Sequence, residues 1–87
     1  MKNKAILGAL AMDLKRAALG YHGGSDAVAE RFFKEALKRR DEVDVTSVNP
    51  YIAKWLKSLE NIKSEKNKEV AEDILLYSTI FQNASRV

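Results

Sequence analysis

The chain has no cysteine, one histidine and one proline among its 87 residues. Without cysteine, neither a disulfide framework nor a zinc site built on thiolates can form. Small secreted domains usually depend on such cross-links, so we expect a reducing, cytoplasmic setting. The single histidine, His22, has no second histidine or glutamate at metal-binding spacing, and we predict no metal and no cofactor.

Long apolar runs are also missing. No stretch approaches the roughly 20 apolar residues that a membrane-spanning helix needs, so no membrane association is expected. Residues 5–12 are apolar or small and follow Lys2 and Lys4, which is superficially typical of a signal peptide. Because the run is short and Asp13 follows it at once, we interpret it as part of an ordinary amphipathic helix.

Charge of one sign is not in large excess. The 15 basic and 12 acidic residues leave a net charge of +3, which is mild for a dedicated nucleic-acid module. Hydrophobic residues make up 46% of the chain, too many for a disordered protein and ordinary for a globular one. We therefore expect a single helical domain over residues 1–87.

Apolar residues recur at helical spacing in four stretches. These stretches cover residues 4–21, 26–40, a third helix from Asn49-Pro50, and about 65–83. In the last, the inward stripe comprises Val70, Ala71, Ile74, Leu75, Ser78 and Phe81. The short Gly23-Gly24 link favours an antiparallel hairpin, and residues 41–49 form a connector. We predict an all-α fold: a small antiparallel four-helix bundle built from two helical hairpins.

Polar residues mark the helix ends. Ser25 is placed to cap the second helix, and Asn49 precedes Pro50 in the pattern of a helix start. Residues 63–69 are wholly polar, which leaves two alternatives: a tight turn in which Ser64 caps a new helix, or one long helix from 50 to 83. We favour the turn, because the apolar stripe lapses over two helical turns.

Two of the helices are apolar on a second side. Met12 and Leu19 lie away from the main stripe of the first helix, as do Leu76 and Ile80 in the fourth. Either these helices are central in the bundle, or the second stripe is an interface between molecules. We favour the interface, because four short helices hardly enclose any one of them, and a two-fold homodimer is the commonest closed assembly. A helical protein partner is the other occupant to consider.

One pair of residues suggests chemistry. Residues 13–21, followed by 27–30 and 35–38, are similar to the first helical hairpin of HEPN-type domains, which are small helical bundles and often dimers. Some of these domains cut RNA with an arginine and a histidine four to six residues apart, and the resemblance assigns those roles to Arg16 and His22. In that family the pair usually follows the first hairpin, and a polar residue is common where this chain has Ala17. We predict no enzyme activity.

Basic residues provide the remaining functional alternative. A lysine-rich strip in the second half of the chain is a candidate contact for polyanions and comprises Lys54, Lys57, Lys63, Lys66 and Lys68. The cluster Lys38-Arg39-Arg40 is explained by the helix dipole and by nearby acids, and Glu35 is spaced to pair with Arg39. The sequence thus favours a homo-oligomerising interaction module, with a nucleic-acid-associated protein as the alternative.

Overall fold

A computed structural model describes residues 2–62 and 68–86. Within these ranges the chain is all-α, as predicted, and has no β-strand. The α-helices are α1 (Lys2–His22), α2 (Asp26–Glu42), α3 (Pro50–Ser58) and α4 (Lys68–Ser85), and 3₁₀ turns lie at Val45–Ser47 and Leu59–Asn61. Among the described helices, none has the length and hydrophobicity needed to cross a membrane.

The α1–α2 turn depends on glycine. Gly24 has a φ of +80°, in the left-handed region that favours glycine. Ser25 N–H donates to the Gly20 carbonyl at 2.8 Å, which closes the turn through the backbone. Ser25 holds the predicted N-cap position of α2, but its hydroxyl makes no capping bond, so the prediction was right in place and wrong in mechanism.

The core is organised around α1. This helix packs along α2 on one side and along α4 on the other, whereas α2 and α4 make little contact with each other. Both pairings are antiparallel. Along α1 and α2, Asp13 meets Arg39 and Gly20 meets Ala29. Along α1 and α4, Gly8 lies near Ser85, and the buried Ser78 hydroxyl donates to the Ala11 carbonyl at 2.7 Å. α1 is therefore the middle helix of a layer, ordered α2, α1, α4.

The connector is fixed by hydrogen bonds rather than by a core of its own. The Asp44 carboxylate accepts from the Thr46 amide and from the Thr46 and Ser47 hydroxyls. The Asn3 amide donates to the Asp44 carbonyl at 3.0 Å and accepts from the Asp44 N–H at 3.1 Å. Asn49 then caps α3 by accepting from the Tyr51 amide at 2.8 Å, which confirms the predicted helix start.

α3 covers one face of the layer. Leu56 and Leu59 are almost fully buried in the common core, and Trp55 packs against it. The 3₁₀ turn after α3 ends at Asn61, and the next residue, Ile62, is extended with a ψ of 112°. One continuous helix from 50 to 83 is therefore wrong. The proposed Ser64 cap lies outside the described residues.

Candidate functional site

The second apolar stripe is largely exposed in the single chain. Met12, Leu19 and Leu76 expose 45%, 61% and 53% of their surface. They are therefore not enclosed within the bundle, which was the alternative to an interface. Ile80 differs: it is half-buried against the core and lines a groove at the end of the molecule. The four residues do not share one surface.

Leu75 is a large exposed residue for which helical periodicity predicts a place in the core. It exposes 46% of its surface, whereas the other five predicted inward residues of α4 are buried. At 3.6 residues per turn, Leu75 lies roughly 40–60° beyond Ala71 and Ser78, the two residues that face α1. It therefore lies at the edge of the α1–α4 seam rather than inside it. Helical periodicity alone does not predict that Leu75 is exposed, because the strip of α4 that contacts α1 is narrow.

Leu75 and the exposed residues of α1 flank the same seam. On α1, the order around the helix runs from the core at Leu14 to the seam at Ala11 and on to Met12 and Leu19. On α4, the order around the helix runs from the core at Ile74 to Ser78 and Ala71, which face α1, and on to Leu75. The Ser78–Ala11 hydrogen bond sets the antiparallel register and puts Leu75 at a level between Met12 and Leu19. We call Met12, Leu19 and Leu75 the outer patch.

The charges beside the outer patch differ between the two helices. The exposed charged residues of α1 are all basic: Lys2, Lys4, Lys15 and Arg16. The charged side chains described in α4 are Glu72 and Asp73, both acidic and exposed. The one acid of α1, Asp13, is buried. Beside the contact between the two helices, the exposed surface of α1 is therefore basic and that of α4 is acidic.

Asp13 forms a charged cluster between α1 and α2. Its carboxylate accepts a 2.6 Å hydrogen bond from Arg39 Nε, and Arg16 Nη1 lies 3.6 Å from its other oxygen. This hydrogen bond is the main cause that raises the pKa of Arg39. The Arg16 guanidinium also lies 5.7 Å from the centre of the Phe32 ring. Arg39 thus bonds to Asp13, while the predicted partner Glu35 pairs with Lys38 instead.

The geometry does not bring Arg16 and His22 into a shared site. The Arg16 guanidinium is engaged with Asp13 and Phe32. His22 is exposed at the C-terminal end of α1, and its side chain makes no hydrogen bond within the described part of the chain. No group of three residues able to hold a metal ion is present among residues 2–62 and 68–86.

The lysine strip is described only in part. Lys54 and Lys57 are exposed on α3, whereas Lys63, Lys66 and the side chain of Lys68 lie outside the described residues. Tyr51 exposes 58% of its surface one turn before Lys54, so one aromatic side chain is not committed to the core. In the other basic cluster, Lys38-Arg39-Arg40, the Arg40 guanidinium is already paired. Its Nη2 lies 3.0 Å from the Asp41 carboxylate, and its Nη1 lies 3.9 Å from that of Glu60.

No protein-family model matches the chain, and no curated protein and no solved structure is significantly similar to it. The resemblance of the first hairpin to HEPN-type domains gains no support from these comparisons. Function is therefore argued from the exposed apolar surface and from the charges that border it.

Proposed function

We propose that the protein is a non-enzymatic helical interaction module that pairs with a second copy of itself through the outer patch. The observation that carries this proposal is the exposure of Met12 and Leu19 on α1, a helix that packs against α2 and α4 with most of its other apolar residues buried. Large apolar side chains clustered on one exposed face favour coverage by another protein surface.

The charges favour a second copy as that surface. In a two-fold pair, each α1 can lie along the partner's α4, because the contact from one copy is repeated by the other. This arrangement can set the exposed Lys15 beside the acidic end of the partner's α4, where Glu72 and Asp73 lie. Opposite charges across an interface favour one register and disfavour others.

The size of the chain supports the same proposal. A domain of this length buries only roughly 60–65% of the surface exposed by its unfolded chain, so additional apolar burial adds to a narrow stability margin. In this proposal each copy is an antiparallel four-helix bundle of two hairpins. The α1–α2 packing supports the first hairpin, and the α1–α4 packing supports a small helical bundle.

A pair of charge substitutions tests the interface. Met12→Glu with Leu19→Glu places two carboxylates on the exposed face of α1 and is expected to convert a dimer into a folded monomer. Val45→Glu, at an equally exposed apolar residue in the connector, is the matched control and should stay dimeric. Circular dichroism verifies that each variant is folded. A dimer in the double variant would contradict the proposal.

The exposed Tyr51 beside Lys54 and Lys57 favours nucleic-acid binding as a second candidate function. One aromatic ring next to two cations provides a stacking surface and phosphate contacts. Fluorescence anisotropy with a labelled single-stranded RNA should then show binding that weakens steeply with salt and falls in Lys54→Glu with Lys57→Glu. Equal anisotropy with and without protein at low salt would exclude this candidate.

A further inference from the structure

Met12 presents the one sulfur atom on the described surface of the protein. The chain has no cysteine, so a two-electron oxidant meets no thiolate, and the thioethers of the two methionines are the sulfur atoms that it can attack. Of these two, Met12 lies within the described residues and exposes 45% of its surface. Trp55, another side chain open to oxidation, is half-buried, and its indole nitrogen is buried. A small oxidant therefore reaches the Met12 sulfur in the single chain.

The Met12 side chain belongs to the outer surface of α1 and not to its core. Its chain neighbours, Ala11 and Asp13, are both buried, whereas nearly half of Met12 stays in solvent. Leu19 follows Met12 by two helical turns on the same side of α1, and Leu75 of α4 flanks both across the seam. A chemical change at the Met12 sulfur thus alters the outer patch and leaves the packing of α1 against α2 and α4 intact.

We propose that Met12 is a site of reversible oxidation, and that its sulfoxide releases the second copy from the outer patch. This inference rests on the self-association proposed above. A peroxide transfers one oxygen atom to the thioether: an S–O bond forms, the O–O bond breaks, and the sulfur gives up two electrons as the rest of the peroxide leaves as water or an alcohol. A methionine sulfoxide reductase returns the two electrons from a pair of thiols, which become a disulfide, and the oxygen leaves as water.

Oxidation weakens the pair because it puts a polar atom into an apolar surface. The sulfoxide oxygen is a hydrogen-bond acceptor, and covering it with apolar side chains of the partner leaves it unpaired. One such unpaired group raises the dissociation constant roughly tenfold. A two-fold pair has one Met12 in each copy, so oxidation of both should raise the dissociation constant about a hundredfold. Pairing in turn covers the sulfur, so the paired protein resists the oxidant and the free chain does not.

The test measures the dissociation constant of the pair before and after hydrogen peroxide, by analytical ultracentrifugation over a range of concentrations. After oxidation, the wild-type constant should rise about a hundredfold while the helical circular dichroism stays the same. Methionine sulfoxide reductases for both epimers, with dithiothreitol, should restore the affinity. Peptide mass spectrometry assigns the added oxygen to Met12, and the rate of its addition should fall as the protein concentration rises above the dissociation constant.

Two variants separate the outer patch from peroxide damage elsewhere. Met12→Leu has no thioether at this position, so its dissociation constant should be the same before and after peroxide. Met12→Leu with Val45→Met carries the thioether at a similarly exposed residue of the connector and should be oxidised there without loss of affinity. An oxidised Met12 in a pair of unchanged affinity would overturn this inference alone, as would an equal weakening of either variant by peroxide. A monomeric wild type before peroxide would overturn both this inference and the self-association on which it rests.

Discussion

Arg39 Nε donates a 2.6 Å hydrogen bond to Asp13 Oδ2, and the Asp13 side chain is 93% shielded from solvent while that of Arg39 stays 42% exposed. The bond joins α2 to α1 through a carboxylate in the helix seam. Arg16 approaches the second oxygen of the same carboxylate. A buried carboxylate is costly unless it is paired, so this cluster matters to the stability of the hairpin.

Arg39→Ala tests that dependence. Removing the guanidinium leaves the buried Asp13 carboxylate with Arg16 as its one remaining cationic partner, and we expect a clear loss in the free energy of unfolding. Lys38→Ala removes an exposed cation one position earlier and should change stability by less than about 0.5 kcal/mol. Chemical denaturation measures both. Equal midpoints for the two variants would mean that the Asp13–Arg39 bond contributes nothing.

Two glycines of α1 provide a matched pair for the helix packing. A Cβ on Gly20 would lie 2.9 Å from the Ala29 Cβ and 3.0 Å from Ala29 backbone atoms, so Gly20→Ala should destabilise the protein by about 1–3 kcal/mol. A Cβ on Gly8 would meet Ser85 at an ordinary 3.8 Å. Gly8→Ala should therefore stabilise α1 by about 0.5–1 kcal/mol. Thermal unfolding of the two variants distinguishes them, and a shift in the same direction for both would contradict the close approach.

The Tyr21 hydroxyl is buried and has no hydrogen-bond partner within the described residues. Burial, together with the charges of Glu30 and Asp26, raises the pKa of Tyr21. Tyr21→Phe removes an unsatisfied polar atom and should be neutral or stabilising by up to about 1 kcal/mol. Tyr51→Phe, at an exposed ring, is the control and should be neutral. A clear loss of stability in Tyr21→Phe would show that the hydroxyl has a partner.

The raised pKa of Tyr21 also predicts how the stability of the fold changes at alkaline pH. A raised pKa in the folded state means that the fold favours neutral Tyr21, so its contribution is complete below the pKa of the unfolded chain. The contribution is lost as the pH rises through the folded pKa. Denaturation midpoints should therefore fall less steeply at high pH in Tyr21→Phe than in the wild type. Identical slopes would exclude this linkage.

Asp44 has the opposite effect on the pH dependence of stability. Its hydrogen bonds from Thr46 and Ser47 lower its pKa, so its stabilising contribution is present above the unfolded pKa and is lost as the pH falls through the folded one. An NMR titration of the side-chain carboxyl should give a pKa below the ordinary value of an aspartate. Thr46→Ala with Ser47→Ala should raise the Asp44 pKa toward the ordinary value. An unchanged pKa in that double variant would show that the two residues do not hold the carboxylate.

The sequence predicts the helix ends and turns better than it predicts the contacts between residues far apart in the chain. The Asn49 cap and the Gly23-Gly24 turn depend on one or two residues and their own backbone, and both features are present. Nothing near Asp13 in the chain indicates that its carboxylate is buried or that Arg39 of α2 reaches it. Ile80 was grouped with Leu76 for the same reason. Its environment is set by the groove beside α3, which helical periodicity does not specify.

The most direct test of the interaction module is the solution mass of the untagged protein, by size-exclusion chromatography with light scattering across a range of concentrations. We predict twice the 9.8 kDa of one chain, with little dependence on salt because the contact is mainly apolar. A mass of 9.8 kDa at the highest concentration would contradict the account and leave the outer patch without an occupant.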